Sequence, residues 1–234
     1  MSTNNPTQLL VDIRELSEIC ALNGLPLSSE AAALLNRYAD TLRTWNAKLN
    51  LISRQQDEEH ILARHILHSL TLRMPAICDY AFSGKRVADV GTGGGLPGIP
   101  MKIVTPSSDM TLIDSSQKKI VACNEMITSL GLTGIRAIAG RAEELAKLPE
   151  HAQKYDAVVS RAVASLEDLT KWTHGLIRPG GVLLSLKGGD LAEEMKRTSR
   201  LKYVLSIEEK PLEIVGYDAF VVEGKKLVAV RLRD

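Results

Sequence analysis

One stretch of the sequence combines residue types that bind ligands through the main chain. Residues 88–100 read ADVGTGGGLPGIP and contain five glycines and two prolines directly after an apolar run. Glycine permits positive φ and lets the backbone approach a ligand closely, and the N-terminus of a following helix offers free N–H groups. Asp89 lies inside the stretch, and Asp114 ends the next apolar run. This spacing predicts a ligand-binding loop with a carboxylate on either side.

Four interpretations of the loop compete. A Walker A loop requires a terminal Lys-Ser/Thr pair, which GGGLPGIP lacks, so the sequence argues against a nucleoside triphosphatase. Gly93, Gly95 and Gly98 fit the G-x-G-x-x-G pattern of dinucleotide folds. Asp89 followed by G-T-G at 91–93 fits the methyl-donor loop of S-adenosyl-L-methionine enzymes. The fourth interpretation is a sharp turn that binds nothing.

Asp114 does not decide between the two cofactors. A carboxylate at the end of the second strand can accept the ribose hydroxyls of NAD or of S-adenosyl-L-methionine, since both contain a ribose diol. Dinucleotide sheets usually carry their G-x-G near the start of the domain, whereas here some eighty residues of helical sequence precede it. The methyl donor is therefore favoured, and the dinucleotide interpretation stays open.

Basic residues at predicted strand ends are further candidates for the site. Arg161 follows a strand directly and stands between the small residues Ser160 and Ala162, and Lys187 precedes a Gly-Gly pair. In open parallel sheets, ligands bind at the carboxyl ends of the strands. Arg141 also follows a strand, although an ion pair with Glu144 would explain it equally well.

Three histidines suggest a metal, but their spacing does not support one. His60, His65 and His68 lie within nine residues, yet no third Cys, Asp or Glu falls at ligand spacing on the face that His65 and His68 could share. We expect no metal, and packing or RNA contact for these histidines. Cys20, Cys78 and Cys123 are odd in number and far apart, so we expect buried, reduced thiols.

The elements that must position these residues follow from the apolar pattern. Short apolar runs at 86–90, 110–114, 134–139, 155–160 and 181–187 alternate with helical stretches such as 115–132. This alternation predicts βαβ units in an α/β fold, with a mostly parallel sheet and helices on both faces. Two closing strands, within 207–214 and 226–233, are expected to form a hairpin or an antiparallel edge.

The first eighty residues have a different texture. Residues 8–79 read as helical, with breaks at GLP (24–26) and MP (74–75). Apolar residues at helical spacing predict the buried faces; they are Leu34, Tyr38, Leu42, Trp45 and Leu49 in one helix and Leu62, Ile66 and Leu70 in a later one. We therefore expect an N-terminal helical region over 1–80 that packs on a Rossmann-like domain over 81–234.

Composition limits the class of protein without identifying a partner. The chain has 234 residues, 44% hydrophobic and 24% charged, which is typical of a globular protein. No stretch resembles a transmembrane span or a signal peptide, so we expect a cytoplasmic protein and no membrane partner. The net charge is +1: residues 1–80 have 7 Lys/Arg against 9 Asp/Glu, and the rest have 22 against 19. Bulk charge therefore gives no argument for a nucleic-acid substrate.

Several motifs together resemble one family. DVGTGGGLPGIP, LIDSSQKK, GRAEEL, VVSRAVASL and LLSLKGG occur in that order, and WNAKLNLIS and RHILHSL precede them. In order and spacing they resemble the RsmG (GidB) family, bacterial methyltransferases that act on N7 of a guanine in 16S ribosomal RNA. The resemblance covers roughly residues 30–190. One departure is His68, where family members often have Asp, whereas His65 and Ser69 agree.

The resemblance implies a fold, a cofactor, a partner and site residues. The fold is that of a class I S-adenosyl-L-methionine-dependent methyltransferase, and the partner is 16S ribosomal RNA in the small ribosomal subunit or its precursor. Together with Gly93 and Asp114 of the loop pattern, the family's donor-site positions are Gly91, Leu96, Ala142, Glu143 and Arg161. Arg161, Lys187 and Arg141 are the candidate catalytic or RNA-contacting residues.

The expected chemistry agrees with what the sequence lacks. Guanine N7 is a lone pair with no proton to lose, so its methylation needs positioning and charge stabilisation but no general base. No Asn/Asp-Pro-Pro-Tyr motif follows the fourth strand, and no cysteine stands where a cytosine-C5 enzyme needs its nucleophile. Two alternatives stay open: methylation of a small metabolite, and a non-catalytic module that binds the methyl donor or a dinucleotide.

Overall fold

The computed structural model describes residues 11–52, 60–161 and 163–233, and its centre is a seven-stranded sheet. The strands run in the order β3-β2-β1-β4-β5-β7-β6. The pairs among β1 to β5 are parallel, whereas β7 is antiparallel to both β5 and β6. Their bounds are β1 Arg86–Val90, β2 Asp109–Asp114, β3 Ile135–Ala139, β4 Tyr155–Arg161, β5 Ile177–Gly188, β6 Val204–Pro211 and β7 Lys225–Leu232. The predicted α/β fold with an antiparallel edge is confirmed.

Helices cover both faces of the sheet. Their bounds are α1 Ile13–Leu22, α2 Ser29–Leu49, α3 His68–Leu70, α4 Gly98–Val104, α5 Gln117–Leu130, α6 Ala142–Leu145, α7 Leu166–Thr173, α8 Ala192–Thr198 and α9 Ala219–Val222. A π-helical segment, Ile61–Leu67, precedes α3, and a 3₁₀ turn, Thr71–Arg73, follows it. No helix in the described ranges combines the length and the hydrophobicity needed to cross a bilayer.

Alternation along the strands produces two hydrophobic clusters, one on each face. In β1, Val87 belongs to the cluster beneath α2, α4 and α5, whereas Ala88 and Val90 belong to the cluster beneath α6 and α7. Both faces of β1 are buried because parallel strands are covered on both sides. The site therefore rests on strands whose register is fixed by burial on two faces.

The N-terminal helices pack on the first of these faces. Helix α2 contacts α5 and α4, and its buried face contains Leu35, Tyr38, Ala39 and Leu42. Tyr38 and Leu42 were predicted correctly, but the face is rotated from the predicted stripe. Leu34, Trp45 and Leu49 are only half-buried, whereas Asn46 is buried. Asn46 can be buried on this face because its Oδ1 accepts the N–H of Ile52 at 2.9 Å, a contact that apolar spacing does not reveal.

The helical region predicted over residues 8–79 is partly confirmed. The breaks at 24–26 and 74–75 are confirmed, but 61–67 is π-helical, and residues 76–83 form turns and irregular chain. Apolar spacing cannot reveal a π segment. A π-helix shifts each backbone hydrogen bond by one residue relative to an α-helix, and this shift does not require a different amino-acid composition. Residues 8–10 and 53–59 of the predicted helical region lie outside the described residues.

Candidate functional site

A cavity of about 940 Å³ lies at the carboxyl ends of the parallel strands. The loop after β1 forms its floor, the ends of β2 and β3 form one side, and the ends of β4 and β5 form the other. The cavity brings together all nine residues named from the sequence: Gly91, Gly93, Leu96, Asp114, Arg141, Ala142, Glu143, Arg161 and Lys187. Positions spread over nearly a hundred residues of chain thus share one surface.

The first glycine of the loop is required by its surroundings. Gly91 has φ of +72°, and a Cβ at this position would collide with the side chain of Val163. Its N–H and that of Thr92 both donate to the carbonyl of Ile113, at 2.8 and 3.1 Å. The chain can therefore turn sharply after β1, against the end of β2, only because residue 91 has no side chain.

Asp89 holds the loop from below and does not line the cavity. Its Oδ2 accepts the hydroxyl of Thr92 at 2.6 Å and the N–H of Gly98 at 2.8 Å. Its Oδ1 has no hydrogen-bond partner among the described residues. Burial raises the pKa of the Asp89 carboxyl to about 7, although the bonds from Thr92 and Gly98 favour the ionised form. Asp89 therefore connects the start of the loop to the first residue of α4.

Asp114 closes the loop from the side. Its Oδ2 accepts the N–H of Gly93 at 3.0 Å, its Oδ1 accepts the N–H of Ser116 at 2.9 Å, and Lys119 Nζ lies 3.9 Å from Oδ2. An ionised carboxylate has about four lone-pair sites, so these contacts leave acceptor capacity for a ligand in the cavity. Asp114 both fixes the loop and presents an acceptor beside it.

Helix α2 supplies a contact that sequence reasoning missed. The buried hydroxyl of Tyr38 donates to the carbonyl of Gly94 at 2.7 Å, and Cys123 Sγ lies 3.3 Å from the carbonyl of Gly93. Tyr38 was predicted only as a core residue. The available signal was its hydroxyl, because a buried phenol requires a hydrogen-bond partner.

Arg161 enters the cavity from the end of β4 and is held by the π-helical segment. Its Nη1 lies 2.8 Å from His65 Nδ1 and donates to the carbonyl of Arg64 at 3.4 Å. A guanidinium only donates, so the facing Nδ1 of His65 accepts and its ring carries its proton elsewhere. The side chain of Ala162, expected to leave room beside Arg161, lies outside the described residues.

The other two predicted basic residues differ in setting. Lys187 is nearly buried, and its Nζ donates to the carbonyl of Ala164 at 2.8 Å and to Glu194 Oε2 at 2.6 Å. Arg141 is 73% exposed at the rim. The suggested pair between Arg141 and Glu144 is wrong: Arg141 lies 3.7 Å from Glu143, and Glu144 pairs with Lys147 at 3.0 Å. Helix α6 begins at Ala142. Within it Glu143 faces Arg141, and Glu144 faces Lys147, three residues further along the chain.

Two of the three clustered histidines belong to the cavity wall. His65 and His68 line the cavity, and no three metal-binding side chains come together in the part of the chain that the structure describes. His68 packs on Phe220 with ring centroids 5.0 Å apart. Burial, then the nearby charges of Arg161 and Lys225, lower the pKa of His68, so its imidazole is neutral.

Charge is distributed unevenly along the cavity. Among the described lining residues, the carboxylates Asp114 and Glu143 stand beside the glycine loop, each with one cation near it, Lys119 and Arg141. The opposite end holds Arg64, Arg161, Lys187 and Lys225, with Glu223 among them. Glu223 and Lys225 were not named from the sequence, because they lie at the end of the β6–β7 connection and at the start of β7, which the motifs do not reach. The arrangement suits a ligand with a polar, hydroxyl-bearing end and a partner that carries negative charge nearby.

The sequence matches a family model described as rRNA small subunit methyltransferase G, or GidB, over residues 31–218. Curated relatives bear the name ribosomal RNA small subunit methyltransferase G. One from Chlorobaculum tepidum is 40% identical over 86% of this chain and 91% of its own length. Another, from Chlorobium luteolum, is 42% identical over 92% and 88%. The chain belongs to the GidB family.

Family membership agrees with the fold. The methyltransferase solved with the Haloferax volcanii Trm112 activator has a TM-score of 0.58 at 14% identity, over 82% of this chain and 98% of that one. The [4+2]-cyclase SpnF has a TM-score of 0.53 at 16% identity, over 71% and 81%. These likenesses show the fold alone, and with the strand order they confirm the predicted class I methyltransferase fold. The GidB match extends past the expected residue 190, into the β6–β7 connection.

The buried Asp89 of this GidB protein generates a prediction about pH. The folded protein retains the carboxyl proton up to a pKa of about 7, whereas the unfolded chain loses it near 3.8. Relative to Asp89→Asn, which keeps an acceptor for Thr92 and Gly98, the wild type should lose stability as the pH rises from about 4 to about 7. Urea unfolding of both proteins at a series of pH values measures this difference. A constant difference, or one that grows in favour of the wild type with rising pH, contradicts the expectation.

Proposed function

We propose that this protein transfers a methyl group from S-adenosyl-L-methionine to N7 of a guanine in 16S ribosomal RNA. The observation that carries the proposal is a cavity at the carboxyl ends of the parallel strands in a GidB family fold. It joins the glycine loop and two carboxylates at one end to a cluster of cations at the other.

The residues at the loop end fit the methyl donor. Gly91 gives the loop a positive φ that a side chain would strain, Asp114 retains acceptor capacity for ribose hydroxyls, and Leu96 offers an apolar surface. Ala142 and Glu143 stand at the start of α6, where a carboxylate and a main-chain N–H can bind an adenine ring. When bound, S-adenosyl-L-methionine would supply a methyl group on a positively charged sulfur: the sulfur–methyl bond breaks as N7 donates its lone pair to the methyl carbon, so the positive charge passes to the purine.

The protein's task at the acceptor end is to position the base. Because N7 has no proton, no side chain at this end has to accept one. Arg161 and Lys187 line the cavity between its donor and acceptor ends. The hydrogen bonds of Arg161 to His65 and of Lys187 to Glu194 hold the two side chains in place. Arg141 at the rim is suited to a phosphate contact.

We infer that the partner is 16S ribosomal RNA within the small ribosomal subunit or its precursor, which places the protein in the cytoplasm. A net charge of +1 gives little general affinity for RNA, so the shape of the particle contributes to recognition. The division into a helical region, 1–80, and a Rossmann-like domain, 81–234, stays a prediction.

Labelled-methyl transfer tests the proposed function. Small subunits from a strain lacking the enzyme are incubated with the protein and methyl-labelled S-adenosyl-L-methionine. We expect ribonuclease-sensitive label that maps to N7 of one guanine in 16S ribosomal RNA. Absence of label from small-subunit RNA contradicts the proposal. Ribonuclease-resistant label would favour the second candidate, a small metabolite, which the near-neutral charge of the chain also suits.

Arg161 provides a prediction within the cavity. Arg161→Ala removes a cation fixed against His65, so kcat/KM or the affinity for S-adenosylhomocysteine should fall about 10- to 100-fold. The melting temperature should stay close to that of the wild type, because the side chain is only partly buried. Arg43→Ala, which removes an exposed arginine paired with Asp40 on α2, is the matched control. If Arg161→Ala has the kinetics and the S-adenosylhomocysteine affinity of the wild type, the prediction is contradicted and Arg161 has no role in the site.

A further inference from the structure

The antiparallel edge of the sheet contributes a carboxylate and an ammonium to the cavity. Glu223 and Lys225 both line it. They reach it because β7 runs opposite to β5: Lys225 pairs with Gly188, and the N–H of Gly189 donates to the carbonyl of Gly224 at 3.2 Å. The start of β7 therefore lies beside the carboxyl end of β5, next to Lys187.

Both oxygens of Glu223 face cations. Arg64 Nη2 lies 3.5 Å from Oε1, and Lys225 Nζ lies 3.4 Å from Oε2. The Glu223 and Lys225 side chains are 28% and 32% exposed, so they are partly desolvated but reachable from the cavity. A carboxylate has about four lone-pair sites, so with a cation on each side it still has acceptor sites to offer a ligand.

The segment that carries Glu223 is firmly packed. Phe220 on α9 is buried between His68, at 5.0 Å, and Tyr217, at 4.9 Å, measured between ring centroids. The Arg64 ion pair adds a second connection from α9 to the N-terminal helices. The contact of Phe220 with His68 and the ion pair of Glu223 with Arg64 both join α9 to the segment 61–70. Together they give the Glu223 carboxylate a defined position at the cavity wall.

The acceptor base presents groups that match this pair. Guanine has N–H donors at N1 and N2 and a carbonyl acceptor at O6, next to N7. Adenine presents an acceptor at N1 and an amino donor at C6, so a carboxylate facing N1 repels it. Of the described carboxylates that line the cavity, Asp114 and Glu143 stand at the loop end, and Glu223 alone stands among the acceptor-end cations.

We infer that Glu223 and Lys225 are the specificity-determining residues for guanine. The Glu223 carboxylate accepts from N1–H and the N2 amino group, the Lys225 ammonium donates to O6, and N7 stays free for the methyl group. This inference rests on the proposed function and adds the residues that recognise the base.

The same contact affects the rate of transfer. Methylation at N7 gives the purine a positive charge and strengthens N1–H as a donor, so its bond to a carboxylate is stronger in the transition state than before it. Loss of the carboxylate should therefore lower kcat as well as the affinity for RNA, which an interaction that only docks RNA would not do.

The test combines a substitution in the protein with one in the base. Small subunits are reconstituted with 16S ribosomal RNA that carries guanosine or inosine, which lacks the N2 amino group, at the methylated position. Wild type, Glu223→Gln and Glu209→Gln are compared on both particles with labelled donor. Glu209 is the matched control because it also pairs with a lysine, Lys226 at 3.2 Å, on the same hairpin but away from the cavity.

We expect inosine to lower kcat/KM of the wild type and of Glu209→Gln about 10-fold or more. Glu223→Gln should lower kcat/KM on guanosine about 10- to 100-fold and remove the difference between the two bases. Its affinity for S-adenosylhomocysteine in calorimetry should match the wild type within about twofold.

Two results overturn the inference while the proposed function stands. One is a wild type that methylates both particles equally, a comparison that needs no variant to fold. The other is Glu223→Gln that still distinguishes the bases as the wild type does. A wild type that methylates neither particle overturns the proposed function itself.

Discussion

A loop made mostly of glycine has few side chains with which to fix itself, so other elements must hold it. Here three of them do. Asp89 connects the start of the loop to α4, Asp114 accepts the N–H of Gly93 from the neighbouring strand, and Tyr38 donates to the carbonyl of Gly94 from the N-terminal helices. The conformational freedom that makes glycine costly is removed before any ligand arrives, which is the condition for tight binding by main-chain groups.

Holding the loop with the buried Asp89 lowers the free energy of unfolding but fixes the loop before a ligand binds. A buried carboxyl whose pKa is raised to about 7, with one oxygen unpartnered in the described chain, costs free energy of folding. The N-terminal helices belong to the site as well as to the core. They supply Tyr38 at the donor end, and the segment after them supplies His65, which holds Arg161, and Arg64, which holds Glu223.

The sequence predicted those features that depend on local pattern. Apolar runs gave the strands of the sheet, and strand-end positions gave Arg161, Lys187 and Asp114, which share one cavity. Contacts between distant residues were beyond its reach, because Tyr38 and Gly94 are 56 positions apart and Arg161 and His65 are 96 apart. The rotated face of α2 and the π segment were missed because apolar spacing reports burial on average and does not report hydrogen-bond geometry. The partner of Arg141 was wrong because one helical residue decides which of two adjacent glutamates faces it.

We propose that Asp114 and the glycine loop form one donor-binding unit. Calorimetric titration of S-adenosylhomocysteine into wild type, Asp114→Asn and Asp109→Asn tests it directly. Asp109 begins the strand that Asp114 ends, so its substitution is a control at the far end of β2. Asp114→Asn should bind S-adenosylhomocysteine about 10- to 100-fold more weakly, since it loses a charged acceptor, while Asp109→Asn should bind like the wild type. Wild-type affinity in Asp114→Asn would contradict the claim.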